Sequence, residues 1–313
     1  MNERQPKISV IVPCWNEAEV LPLFFQEMGS VIRSRPELDW ELIFVDDGSR
    51  DDTLSFLRQA SRADRRIRYA SFSRNFGKEA AMLCGLRMAT GDYMAFVDAD
   101  LQHPPALLPQ MYDILQSEKT IDVVGARRVS RRGESPLRSA LSRGFYQVVN
   151  RLSRLSVPQG ATDYRLMRRV VAEAILSLPE HNRFTKGLFA VVGFPTRWIE
   201  YENINRAAGE TKWSLAGLVR YSLDGICALS LTPLQLSACL AAVLAAVAVI
   251  LWIAAGIHSG ADAVLVVCGL ICLVGALILL CLGVLGHYLG KLYLEAKARP
   301  LYFVRETSEE TAP

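Results

Sequence analysis

The chain has 313 residues, 51% of them hydrophobic and 21% charged, with a formal net charge of +3. That length holds one sizeable domain and something more, and the composition is too apolar for an entirely soluble protein. So small a net charge gives no reason to expect a nucleic-acid partner. The seven cysteines are odd in number and show no C-x-x-C pairing, so they read as small packing residues in a reducing compartment.

The first two hundred residues alternate short apolar runs with helical patterns. Ile8–Val12, Glu41–Val45, Arg68–Phe72, Tyr93–Val97 and Asp122–Val124 are predicted strands. Between them, Glu17–Arg33, Asp52–Ala63, Lys78–Ala89 and Pro105–Ser117 are predicted helices. This alternation predicts an α/β fold, a mostly parallel sheet covered by helices on both faces, with ligands bound at the carboxyl ends of the strands. The opening MNERQPKISV is charged and runs directly into the first strand, so no signal peptide is expected.

The residues at the carboxyl end of each strand are therefore informative. Pro13-Cys14-Trp15-Asn16-Glu17 succeeds the first strand, Asp46-Asp47-Gly48-Ser49 the second, Ser73-Arg74-Asn75-Phe76-Gly77-Lys78 the third, and Asp98-Ala99-Asp100 the fourth. Polar and acidic groups gather on one rim. No G-x-G-x-x-G comes after the first strand and no P-loop occurs, which disfavours a nicotinamide or flavin site. Alternation points Asp98 and Asp100 to the same side, where like charges repel unless a cation lies between them. With Gln102 beside them they suit a hard divalent cation such as Mg²⁺ or Mn²⁺, completed by substrate phosphates. On spacing alone, D-x-D is equally a common loop start. The four histidines are scattered and show no metal spacing.

From Arg127 to Arg154 there are eight arginines against a single acid, Glu134. Leu137, Leu141, Phe145, Val148, Leu152 and Leu155 recur there at helical spacing, giving a basic amphipathic helix that fits either an anionic lipid surface or a solvated domain face. Leu215, Leu218, Val219, Leu223, Ile226 and Leu229 form a second stripe, read as an interfacial helix. No charged side chain occurs from Gly225 to Ala261, nor from Ala263 to Gly290. Each run exceeds the ~20 residues needed to span a bilayer. Two transmembrane helices are predicted, Pro233–Gly256 and Ala263–Gly286, joined by a short turn. Lys212 and Arg220 precede them and Lys291, Lys297 and Arg299 come after, which places both chain ends in the cytoplasm. The expected organisation is a cytosolic domain (1–213), an interfacial helix (214–231), a membrane hairpin (232–290) and a cytosolic tail (291–313). Residues after Arg305, ETSEETAP, are acidic and expected to be disordered. Ala and Gly in the spans permit packing against a second copy.

Taken jointly, the motifs resemble family-2 glycosyltransferases. VIVPCWNE, FVDDGSRDDT, SRNFGKEAAMLCGL and DADLQHPP look like that family's strand ends, nucleotide loops and metal motif. TDYRLM, NRFTKGLFAVVGF, RAAGETKWS and KLYLEAKARPLYFV are similar to its polyprenyl-phosphate branch, nearest to bactoprenol glucosyltransferases. The resemblance implies a type A glycosyltransferase fold and inverting transfer of a hexose, with glucose foremost, from a UDP-sugar to undecaprenyl phosphate. The acceptor would lie at the cytoplasmic face of the inner membrane. It further implies that Pro13, Trp15, Glu17 and Asp47 contact base and ribose, with Asp46 supporting and Ala99 beside them. Asp98, Asp100 and Gln102 would hold metal and diphosphate. Arg127, Arg206 and Lys212 would meet donor or acceptor phosphates; the need for cations between two phosphate-bearing substrates also suits Arg165 and, for the acceptor phosphate, Arg183 and Lys186. Asp163 would take the catalytic aspartate's place, with Arg165 beside it; alternatively Asp163 only pairs with Arg165, and Asp46 only caps the helix after Gly48. Mannose or aminoarabinose transfer changes only the sugar. A processive synthase is disfavoured because Phe194 replaces the glutamine of Q-x-x-R-W; a non-catalytic scaffold would be favoured only by loss of the acids.

Overall fold

A computed structural model describes residues 5–128, 160–181, 183–201 and 262–309, with scattered positions between 234 and 253. The apolar runs form β1 (Lys7–Cys14), β2 (Asp39–Asp46), β3 (Ile67–Phe72) and β4 (Tyr93–Phe96). Helices α1 (Leu21–Ser34), α2 (Thr53–Ala63) and α3 (Lys78–Met88) connect them, and α4 (Leu108–Ser117) comes after β4 and a single 3₁₀ turn at Pro105–Leu107. α1 starts at Leu21 rather than Glu17. Pro22 lies in its first turn, where a missing N–H costs nothing, and the Glu17 carbonyl instead closes a turn onto Val20 and Leu21.

Four more strands, β5 (Val123–Arg128), β6 (Ala161–Arg168), β7 (Thr196–Tyr201) and β8 (Val304–Thr307), complete an eight-stranded sheet of order β7-β5-β6-β4-β1-β2-β3-β8. Helices α5 (Arg169–Ser177) and α6 (Thr185–Val192) lie between β6 and β7 in the chain. The sheet is mixed. β1 runs parallel to β2 and β4, β2 to β3 and β5 to β7, whereas β6 is antiparallel to β4 and β5, and β8 to β3. Alternation along β1 divides its side chains between two cores. Val10 and Val12 meet Phe24, Met28, Leu57 and Met111 on one face, and Ile11 meets Ala81, Val171 and Leu188 on the other.

The acidic tail is folded through Glu309, contrary to the expectation of disorder. Its β8 pairs with β3, Glu306 accepts two hydrogen bonds from Arg58 at 2.8 and 2.6 Å, and Glu309 pairs with Arg68. Tyr302 stacks on Phe72 with ring centroids 4.8 Å apart. Composition favoured solvation of the acids, but their arginine partners stand on α2 and β3.

Helix α7 (Asp262–Ala296) is continuous for 35 residues, or about 52 Å at 1.5 Å per residue. Among the described residues, Val267–Ala296 is long and apolar enough to cross a membrane, and Ile271, Leu279 and Leu289 on it are exposed. It contains most of the second predicted span and continues beyond it to the domain, where Glu295 accepts the His181 backbone N–H at 2.8 Å. The first span is described only at isolated helical positions such as Leu234 and Ala242–Leu244. The turn between the spans, the basic helix and the interfacial stripe lie outside the described residues.

Candidate active site

The carboxyl ends of β1, β2 and β4 and the first turn of α3 enclose a cleft of about 1040 Å³. Pro13, Trp15, Glu17, Asp47, Asp98, Ala99, Asp100 and Gln102 all line it. Asp46 lies beneath, buried, accepting the Ser49 N–H at 3.0 Å and the Ser71 hydroxyl at 2.7 Å. It shapes the turn at Gly48, whose φ of +66° is left-handed. That turn is also tight: a Cβ on Gly48 would lie 2.4 Å from the Arg74 carbonyl carbon. Asp47 points the other way along the rim and accepts the Phe76 and Gly77 N–H groups at 2.6 and 2.8 Å. Burial pushes its carboxyl up to about 6 despite those hydrogen bonds.

Asp47 thereby orders the turn that starts α3. This helix packs so closely on β1 that a Cβ at Gly85 would meet Ile11 Cγ2 at 2.3 Å. Its first residue, Lys78, extends across the rim. The ammonium lies 2.6 Å from Asp98 Oδ1 and 3.0 Å from Asp163 Oδ2. Asp98 lies just past β4 and Asp163 within β6: β4 pairs Tyr93 with Arg168 and Phe96 with Arg165, which brings the chain after β4 close to Asp163, and Lys78 contacts both acids. Burial alone would raise the Asp163 carboxyl, but Lys78, then Lys186, outweigh it and hold it below the ordinary carboxylate range. Asp163 is thus ionised, and its ion pair is with Lys78.

His103 joins the acids, which the scattered histidine spacing did not indicate. Leu101 is left-handed, with φ +57°, and the reversal returns the Gln102 N–H to Asp100 Oδ1 at 3.1 Å. The same reversal sets the buried His103 ring against Tyr164, with Nδ1 3.7 Å from Asp98 Oδ2. One ligand atom from each of Asp98, Asp100 and His103 lies within 4.8 Å of the other two. Two carboxylate oxygens and an imidazole nitrogen form a donor set that fits a divalent ion of the Mg²⁺ or Mn²⁺ kind, the nitrogen favouring Mn²⁺.

The arginines are placed differently from the acids. Arg165 is 3% exposed, with its guanidinium 4.1 Å from the centroid of Phe189 and 5.1 Å from that of Trp198. Gly125 gives Trp198 its room, since a Cβ there would meet the indole at 2.6 Å. Arg183 donates to the Leu178 and Ile175 carbonyls, both at 3.0 Å, and so closes the C-terminal end of α5. Arg127 pairs with Glu200 across β5 and β7. Lys186, on the first turn of α6, contributes its charge to Asp163. Arg206 and Lys212 lie outside the described residues. Sequence reasoning missed Lys78 and His103 as site residues. A lysine opening a helix, where the dipole disfavours a cation, was the available signal for Lys78.

A mixed sheet with helices on both faces and an acid-lined cleft at its strand ends defines the class of type A glycosyltransferases. Residues 9–176 match Glycosyl transferase family 2, and the chain belongs to that family. It is 36% identical to the putative glycosyltransferase CsbB of Bacillus subtilis, covering 97% of this chain and 93% of that one. It is 35% identical to a prophage bactoprenol glucosyl transferase homolog of Escherichia coli, over 97% and 100%. The bactoprenol glucosyl transferase of Shigella phage SfX is 34% identical, over 96% and 99%. The fold is similar to that of glucosyl-3-phosphoglycerate synthase from Mycobacterium tuberculosis, crystallised with Mg²⁺ and UDP. There the TM-score is 0.50 at 21% identity, covering 71% of this chain and 77% of that one. The chain is thus a family-2 glycosyltransferase, similar along nearly its whole length to chains named bactoprenol glucosyl transferase.

Proposed function

We propose that this enzyme transfers a hexose, glucose foremost, from a UDP-sugar to a polyprenyl phosphate at the cytoplasmic face of the inner membrane, with inversion at the anomeric carbon. The observation that carries the reading is the cleft lined by Asp98, Asp100 and Lys78, with the Lys78 ammonium joining Asp98 to Asp163 on β6. Near-full-length similarity to chains named bactoprenol glucosyl transferase supports the lipid acceptor. The apolar, exposed α7 supports delivery from a membrane, with the two-span hairpin as its extension.

In this reading the half-exposed Trp15 and the adjacent Pro13 and Glu17 receive the nucleoside, and the Asp46–Asp47 turn holds the loop beneath it. Asp98, Asp100 and His103, with Gln102 adjacent, would hold a divalent cation that neutralises the diphosphate leaving group. The acceptor, a phosphate monoester with second pKa near ~6, is already largely dianionic at neutral pH. Asp163 therefore has little deprotonation to do. Its ionised carboxylate orients the acceptor and stabilises positive charge developing on the sugar, while Lys78 and Lys186 draw the two phosphate-bearing substrates together. Arg165 supports Asp163 from within the aromatic layer, and Arg206 and Lys212 are assigned to substrate phosphates.

Detergent-purified protein given Mg²⁺, UDP-glucose and undecaprenyl phosphate should release UDP and form a glycosyl-phospholipid, and Asp100→Asn should lose at least about 100-fold in rate. Full-rate Asp100→Asn in the presence of chelator would remove the metal from this reading. A panel of nucleotide sugars scored by lipid product tests the choice of glucose.

A further inference from the structure

Lys78 is poorly placed as an ordinary helix residue. It is the first residue of α3, at the positive end of the helix dipole, where a cation is disfavoured. The preceding Gly77 has φ +98°, and Asp47 is committed to the N–H groups of Phe76 and Gly77. A buried carboxylate and a left-handed glycine thus spend their geometry on presenting one ammonium to the rim. The side chain remains 39% exposed, and its tip touches Asp98 and Asp163 together. The surroundings are mostly acidic: Glu79, which accepts both the N–H and the hydroxyl of Thr185, lies on the same helix turn. Asp98 is in turn shared with the His103 side of the candidate metal centre.

We propose that Lys78 is a positioning residue that competes with the divalent cation for Asp98 and aims Asp163 at the sugar, so that metal entry on the donor side and placement of the acceptor-side carboxylate are coupled through one ammonium. This inference rests on the metal-dependent reading of the site. An ammonium 2.6 Å from Asp98 Oδ1 occupies one of the oxygen's acceptor directions and repels an incoming dication. With a cation held by Asp98, Asp100 and His103 that contact would weaken, leaving Lys78 on Asp163, 3.0 Å away. Competition lowers metal affinity while the same contact serves turnover. A merely structural lysine would move both quantities in one direction.

The test is Mn²⁺ binding to the full-length protein in detergent, monitored by electron paramagnetic resonance without donor, together with steady-state kinetics. Lys78→Met keeps an unbranched, flexible side chain and removes its charge. It should bind Mn²⁺ about tenfold more tightly than wild type, while kcat falls about 100-fold with little change in donor KM. Lys78→Arg should hold Mn²⁺ affinity within about threefold of wild type and recover part of the turnover. Lys78→Gln repeats the neutral test with a polar side chain, and circular dichroism reports folding of all three. Unchanged or weaker Mn²⁺ binding in both folded neutral variants, with wild-type binding intact and lost in Asp100→Asn, would overturn the role of Lys78 alone. Absence of Mn²⁺ binding in wild type would overturn the metal reading and this inference with it.

Discussion

Lys78 Nζ lies 3.0 Å from Asp163 Oδ2, although 85 positions separate the two residues. The contact joins the first turn of α3 to the strand that runs antiparallel between β4 and β5. It makes Asp163 a charged, oriented acceptor of hydrogen bonds rather than the simple partner of Arg165.

Asp163→Asn keeps the shape and removes the charge. Turnover should drop by at least about 100-fold while UDP affinity stays within a few-fold, because the carboxylate acts on the acceptor and the developing charge. Calorimetric titration of UDP beside a lipid-product assay checks this. A loss confined to UDP affinity would move Asp163 to the donor site.

Gly48→Ala meets two obstacles at once, a left-handed φ of +66° and backbone of Arg74 at 2.4 Å. The variant should lose about 2 kcal/mol or more of stability and bind UDP poorly, because the nucleotide turn and the loop before α3 move apart. Thermal melting with and without UDP measures both effects, and a wild-type melting temperature would contradict the packing described.

Glu79 gives the stability a pH dependence. Burial, and then the charge of Asp163, push its carboxyl up to about 7, against ~4.3 in an unfolded chain. The folded state therefore holds the proton at pH values where the unfolded chain has released it. Stability must fall as pH rises through that interval, and the loss is complete above the folded-state value. Glu79→Gln should be flatter than wild type over roughly pH 5 to 8 in melts recorded at fixed ionic strength. Parallel curves would show that another group sets the slope.

The C-terminal strand is the other testable contact. Glu306→Ala removes a partly exposed pair with Arg58 and should cost about 1 kcal/mol or less. Deleting residues 304–309 should do far more, since it strips the partner strand from the edge of β3, inviting edge-to-edge association. Melting temperature and size-exclusion profile in detergent distinguish the two, and equal effects would mean that the ion pair, not strand pairing, holds the tail.

The sequence by itself determined the local elements and the rim. Apolar runs ending in Pro13, Asp46 and Asp98 give strands whose polar ends face one edge, because a buried strand must change composition where it leaves the core. The charge-free length of α7 was legible for the same reason, composition acting over one continuous segment. Only the tertiary structure decided which acids meet. The antiparallel insertion of β6 beside β4 brings Asp163 and Asp98 to one lysine, the left-handed Leu101 turns His103 toward the acids, and the aromatic layer withdraws Arg165 from the rim. β8 likewise converts an acidic tail into a sheet edge, since the partners of Glu306 and Glu309 are remote arginines. Such contacts depend on strand order and register, which are set by packing across the whole sheet and leave no mark at the spacing of neighbouring residues.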